Sequence, residues 1–125
     1  MRTIIAIAIA GAIGALARFG ISTLFLQRFG DRFPWGTIVI NVTGAFAIGL
    51  LFGIFGQRVG GAVWLRTALV VGFLGAYTTF SAFSLETVRL FEDGAFGLGI
   101  ANAAGSVVAG LVAVYVGILL GRAVA

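Results

Sequence analysis

The sequence predicts an all-α membrane protein with four transmembrane helices, the third broken near its centre, that pairs with an inverted copy of itself. Three observations lead there. The first is composition: hydrophobic residues are 61% of the chain and charged residues 10%, with a mean hydropathy of +1.17. A soluble domain carries about 25% charged residues. Nothing here can cover a water-facing surface, so the solvent is lipid. The second is length. Four apolar stretches, at about 3–26, 36–55, 63–91 and 95–120, each reach the roughly 20 residues needed to cross a hydrocarbon core of about 30 Å. The connections at 27–35, 56–62 and 92–94 are short. They turn each helix back on the last and leave both termini of a single domain, 1–125, on one side.

The third observation is a charge balance. Every basic residue is an arginine. Arg2, Arg58, Arg66 and Arg122 fall on the side of the termini, and Arg28, Arg32, Arg89 and the deeper Arg18 on the other. Orientation in a membrane follows the bias in positive charge between its two sides, and here the sides match. Either the Arg2 end dominates, or the chain inserts both ways and two inverted copies pair as an antiparallel homodimer.

Composition also closes several function classes. Without cysteine or histidine there are no disulfides, no Cys/His metal sites and no histidine acid–base chemistry. No nucleophile–base pair stands out, so the chain does not read as an enzyme. A net charge of +4 with no basic run argues against nucleic acid as a partner. Twenty glycines against a single proline, Pro34, suggest helices that approach one another closely.

Along the chain, Arg2 before an apolar stretch imitates a signal peptide, but the stretch is too long for a signal core and lacks a convincing cleavage site. It reads as a retained helix. Arg18 lies roughly 12 Å inside its end by helical rise. It either snorkels outward or sets a positive charge at the mouth of an anion path. In the second span Thr37, Asn41 and Gly44 share a helical face. Asn41 is either interhelical glue or an amide donor to a partly dehydrated anion.

The third span would make a helix of about 43 Å, well beyond the core thickness. Its centre, from Gly72 to Ser84, holds two glycines, a threonine pair and alternating hydroxyls and aromatics, which suits a helix poorly. A break near residues 75–79 would free backbone carbonyls at mid-membrane. Such backbone is tolerated where it is buried in protein, lines water or binds an ion. Phe80 and Phe83 share a face. They either pack or, with the hydroxyls of Thr79, Ser81 and Ser84, line a narrow path with the positive edges of their rings. Glu86 and Arg89 are spaced to pair at the membrane edge. In the fourth span Asn102, Gly105, Ser106 and Gly110 form a small polar stripe that suits packing, with Ser106 as one further donor.

Taken together these segments resemble the Fluc (CrcB) family of fluoride channels over nearly the whole chain. The carrying motifs occur in the family's order: Gly11 to Phe19 with Arg18; Gly36-Thr37 with Asn41 and Gly44; Gly72-Phe73-Leu74-Gly75 followed by Thr78-Thr79-Phe80-Ser81-Ala82-Phe83; and, more loosely, Asn102 to Gly110. The resemblance implies passive export of fluoride through two pores formed by two inverted subunits in the inner (plasma) membrane. Asn41, Phe80 and Phe83 match the family's pore asparagine and phenylalanines. Thr79, Ser81, Ser84 and Ser106 would form a hydroxyl track, and Arg18 would stand in the vestibule. Gly75 and Thr78 match positions whose carbonyls hold a structural sodium ion at the dimer's centre. The sequence departs from the family at Ala82 and Gly110, which shortens the polar track. Two alternatives share the gross features. A small four-helix multidrug exporter needs a carboxylate within the membrane, and Glu86, the one acid in a span, sits near an end. A non-transporting assembly subunit would carry no flux at all.

Overall fold

A computed structural model describes residues 1–56 and 63–125, and the connection holding Arg58 lies outside the described residues. Among the described residues, four helical spans are long and apolar enough to cross a membrane. They are α1 (Arg2–Phe29), α2 (Trp35–Gly56), a composite third span (Val63–Glu92) and α6 (Phe96–Val124). The third comprises α3 (Val63–Thr67), a π-helical segment (Ala68–Leu74), α4 (Gly75–Tyr77) and α5 (Phe80–Glu92). Three predicted stretches lie inside an observed span, and the fourth starts at Ala95, the residue that caps α6.

Local chemistry sets the ends. Gly30 closes α1 at φ 73°, donating its N–H to the Leu26 carbonyl; only glycine takes that conformation without steric cost. Pro34 precedes α2, where its fixed φ suits a helix start, and its carbonyl accepts the Ile38 N–H at 3.2 Å. At the opposite end, the Arg2 guanidinium lies 4.3 Å from the Trp64 ring centroid. That contact ties the start of α1 to the start of the third span.

Large apolar side chains turn outward rather than inward, among them Phe19, Leu16 and Leu111, each more than two-thirds exposed (70%, 69% and 67%). In lipid, apolar burial does not drive helices together, so close packing of small residues must. α2 and α6 form the most extensive contact, and glycines make it possible. Gly49 backs onto the Val114 carbonyl and Gly53 onto the Ile118 carbonyl. From α6, Gly117 backs onto the Phe46 carbonyl and Gly121 onto the Leu50 carbonyl. Each helix thus contributes two glycines one turn apart. A similar approach joins α1 to the third span, where Gly14 meets the Phe73 carbonyl and Gly72 meets Ile7 and Ala10. Between these contacts sits a small core of Ile40, Leu74 and Tyr77, flanked by Ala17, Ile21 and Ala47.

A Cβ at position 117 would lie 2.8 Å from the Leu50 nitrogen, besides striking the Phe46 carbonyl. Gly117→Val is therefore expected to destabilise the fold by about 1–3 kcal/mol, the range for overpacking, read as a lower thermal midpoint in detergent. Gly20→Ala, with nothing within 4 Å of its Cβ, is expected to hold that midpoint or raise it.

Candidate functional site

The centre of the third span is not continuous α-helix. Thr78 (φ −80°, ψ 159°) and Thr79 (φ −149°, ψ 122°) are extended, as their β-branched side chains favour. Gly75 remains helical at φ −63°, ψ −35°, so the interruption sits at the threonine pair rather than at the glycine. A broken helix strands its last carbonyls and its next N–H groups. In hydrocarbon each stranded group costs several kcal/mol.

Asn41 on α2 meets that cost. Its Nδ2 donates to the Thr79 carbonyl at 2.9 Å, and its Oδ1 accepts the Thr79 N–H at 2.8 Å. The side-chain amide thus stands in for a neighbouring peptide. Gly44, further along the same face, leaves the room that the Thr78 methyl fills. Thr43 and the buried Tyr77 share a hydroxyl contact of 2.8 Å beside it. The Thr78 N–H and hydroxyl both reach the Leu74 carbonyl, at 3.0 and 2.9 Å. Thr79 Oγ1 caps α5 by accepting the Ala82 N–H at 3.2 Å. One consequence concerns Gly75. Its carbonyl would ordinarily accept the Thr79 N–H four residues on, and that N–H belongs to Asn41.

The predicted residues fall into two groups. Asn41, Gly75, Thr78, Thr79 and Phe80 line one open hollow of about 370 Å³ on the flank of the helix bundle. Phe80 projects there 79% exposed, with its ring centroid 5.7 Å from that of the half-buried Phe83 and tilted by 44°. The serines stand apart from this lining. Ser81 Oγ pairs with Thr79 Oγ1 at 3.3 Å, Ser84 donates to the Phe80 carbonyl at 2.9 Å, and Ser106 on α6 donates to Asn102 Oδ1 at 3.3 Å. The hydroxyls of Ser84 and Ser106 are thus already engaged inside the protein. Arg18 is half-buried on α1, one turn beyond Gly14.

A second cavity, of about 610 Å³, opens at the far end of the bundle between the 30–37 segment and the end of α5, with Arg32, Thr37, Glu86 and Arg89 in its wall. Arg89 acts on the Glu86 carboxylate through its charge, as their spacing suggests, but the carboxylate's hydrogen bond goes elsewhere. Glu86 Oε1 accepts the Thr37 hydroxyl at 2.7 Å, and its Oε2 is buried without a hydrogen-bond partner. Thr37 lies one turn before Asn41, so one face of α2 leads from this cavity towards the break. The Thr37–Glu86 contact was not legible in the sequence, although the shared face of Thr37 and Asn41 was its available signal.

A family model described as CrcB-like protein, Camphor Resistance (CrcB), matches residues 5–118. A fluoride-specific ion channel FluC of Solibacter usitatus is 49% identical over 116 residues, covering 93% of this chain and 95% of that protein. The FluC of Magnetococcus marinus is 44% identical over 116 residues, covering 93% and 94%. That of Citrifermentans bemidjiense is 45% identical over 123 residues, covering 98% and 99%.

The amide clamp has a direct test in stability. Asn41→Leu strands both the N–H and the carbonyl of Thr79, at about 1–3 kcal/mol for each unsatisfied group. The variant is expected to lose at least about 2 kcal/mol in a detergent unfolding assay, on that basis of one unit per group. An unchanged midpoint would show that the Thr79 peptide does not depend on Asn41.

Proposed function

The chain belongs to the CrcB-like family, and we infer that it is a fluoride-specific ion channel of the inner membrane, assembled from two inverted copies that form two pores. The observation that carries this reading is the position of the break. Extended backbone at Thr78 and Thr79 borders a hollow on the flank of the bundle, where a lone chain would meet lipid. Lipid-exposed irregular backbone does not occur within the hydrocarbon region, which favours a second protein surface over the break. A second copy of this chain fits, because the balanced arginines permit insertion in both directions.

Fluoride is small and strongly hydrated, and a path for it must replace its water. Asn41 spends one N–H on the Thr79 carbonyl and keeps the other, since a side-chain amide carries two. Thr79, Ser81, Ser84 and Ser106 add hydroxyls, each already in a neutral hydrogen bond. An arriving anion exchanges those bonds for charge-assisted ones, about twice as strong. The net gain is therefore smaller than for idle donors, which suits conduction, where binding must be weak enough to release. The edges of Phe80 and Phe83 contribute positive potential without a fixed charge. Arg18 would hold its charge in the vestibule, away from the narrowest region.

A structural sodium ion suits the same break. Gly75 is exposed and its carbonyl lacks its helical donor, and oxygen ligands suit a hard cation. The carbonyls of Gly75 and Thr78 from two copies would hold it. Bound there, it supplies positive charge at mid-membrane and lowers the cost of bringing an anion near.

The test is efflux from proteoliposomes, read by a fluoride electrode with a chloride control. Wild-type protein is expected to release fluoride and retain chloride. Phe80→Ile is expected to cut fluoride flux by more than tenfold while eluting like wild type from a sizing column; full flux would remove Phe80 from the path. For topology, a lone cysteine at Gln27 is expected to react with impermeant reagent from both sides of the membrane. Labelling from one side would contradict the inverted pair.

A further inference from the structure

Asn102 is the most deeply buried polar side chain among the described residues, fully inaccessible on α6. Its Nδ2 donates to Thr87 Oγ1 at 2.8 Å, and Thr87 Oγ1 donates onward to the Phe83 carbonyl at 2.7 Å. On its other side, Asn102 Oδ1 accepts the Ser106 hydroxyl at 3.3 Å. The two ends of this relay are a ring residue and a hydroxyl residue assigned above to the fluoride path. They lie on different helices, and Asn102 is what joins them.

At the α5–α6 turn the Phe91 ring lies close against Gly99 and the Ala95 N–H reaches the Leu90 carbonyl at 2.8 Å. Further from the turn, the Asn102–Thr87 bond is the polar contact between the two helices among the described residues. A hydrogen bond in a water-free interior fixes distance and direction, and each member polarises the next. Thr87 adds a constraint within its own helix, because a threonine bonded to the carbonyl four residues back bends the helix locally. The carbonyl it bonds is that of Phe83, so the constraint acts on the backbone that carries the ring. The Thr37–Glu86 and Asn41–Thr79 bonds hold α5 against α2, and the Asn102–Thr87 bond fixes its rotation against α6, and with it the direction of the Phe83 ring on that side.

We propose that Asn102, acting through Thr87, is a positioning residue for fluoride selectivity: it sets the angle of the Phe83 ring and the direction of the Ser106 hydroxyl. This rests on the channel reading given above. Asn102 touches no ion in this role.

The test separates position from stability. Asn102→Leu alone takes the acceptor from the Ser106 hydroxyl and a donor from Thr87, which keeps its own bond to the Phe83 carbonyl, and Thr87→Val alone leaves the buried amide N–H without its acceptor, so either variant is expected to lose stability. The double variant removes both buried polar partners and keeps their approximate shapes, a change that is nearly neutral for folding, and the Ser106 hydroxyl it releases can bond the residue 102 carbonyl one turn back. It is expected to recover the wild-type thermal midpoint, yet to show at least tenfold lower fluoride efflux and a fluoride-to-chloride ratio reduced by a similar factor. Thr87→Ser keeps the hydroxyl and is expected to retain wild-type selectivity. A double variant with wild-type flux and ratio would overturn the proposal, as would Thr87→Ser losing selectivity to the same extent, since methyl packing would then be responsible. If the double variant fails to fold, Thr87→Val against Thr87→Ser decides the same point, with matched selectivity overturning it. Wild-type liposomes that release no fluoride would overturn the channel reading itself, and this inference with it.

Discussion

Hydrocarbon contains no water to pair with a peptide group, and this one constraint organises the molecule. It makes the spans helical, because an α-helix satisfies its own backbone. It also makes the interruption at Thr78 and Thr79 the most demanding feature in the chain. The Asn41 amide resolves it by bonding both ways to the Thr79 peptide. Thr78 turns its hydroxyl back onto Leu74, and Thr79 caps the helix that follows. With those groups paired, the Gly75 carbonyl goes without the Thr79 N–H, and the hydroxyls around the break hold neutral hydrogen bonds. In the proposed channel those are the groups that ions use.

Packing follows from the same constraint. Lipid tails are as apolar as leucine, so helices gain little by hiding leucine from them and much by approaching closely. The interlock of Gly49 and Gly53 with Gly117 and Gly121 brings backbone against backbone, within reach of weak Cα–H···O contacts. The bulky residues are left facing outward, where lipid or another protein surface meets them. Asn41 can reach Thr79 because Gly44 makes space for the Thr78 methyl beside it. The glycine content and the helix break are thus two parts of one arrangement.

The spans, their approximate ends and the existence of an irregular centre in the third were all legible, because hydropathy and helix propensity act locally. The break fell at the threonine pair rather than at Gly75, since propensity identifies an unsuitable stretch but not which residue yields. The partners were not legible. Asn41 and Thr79 are 38 residues apart, and Thr37 and Glu86 are 49 apart; no local pattern links them. The spacing of Glu86 and Arg89 gave their electrostatic attraction, but not the hydrogen bond that the carboxylate takes from α2. The Gly-xxx-Gly repeats at 49–53 and 117–121 were a usable signal for which helices pack most closely, but were lost among twenty glycines. Asn102 showed as one member of a small polar stripe, and its full burial and its link to Thr87 depend on how α5 lies on α6.

That the break is covered by a second copy is the claim on which the two-pore reading stands, and cross-linking tests it most directly. The chain has no cysteine, and a Cβ at Gly75 meets nothing closer than the Val70 carbonyl at 3.7 Å. A cysteine there, oxidised in native membranes, yields a disulfide-linked dimer on a non-reducing gel if two breaks face each other, while a cysteine at Gly20 stays monomeric. Monomer alone from the Gly75→Cys protein, or equal linkage at both positions, would contradict a dimer closed over the break.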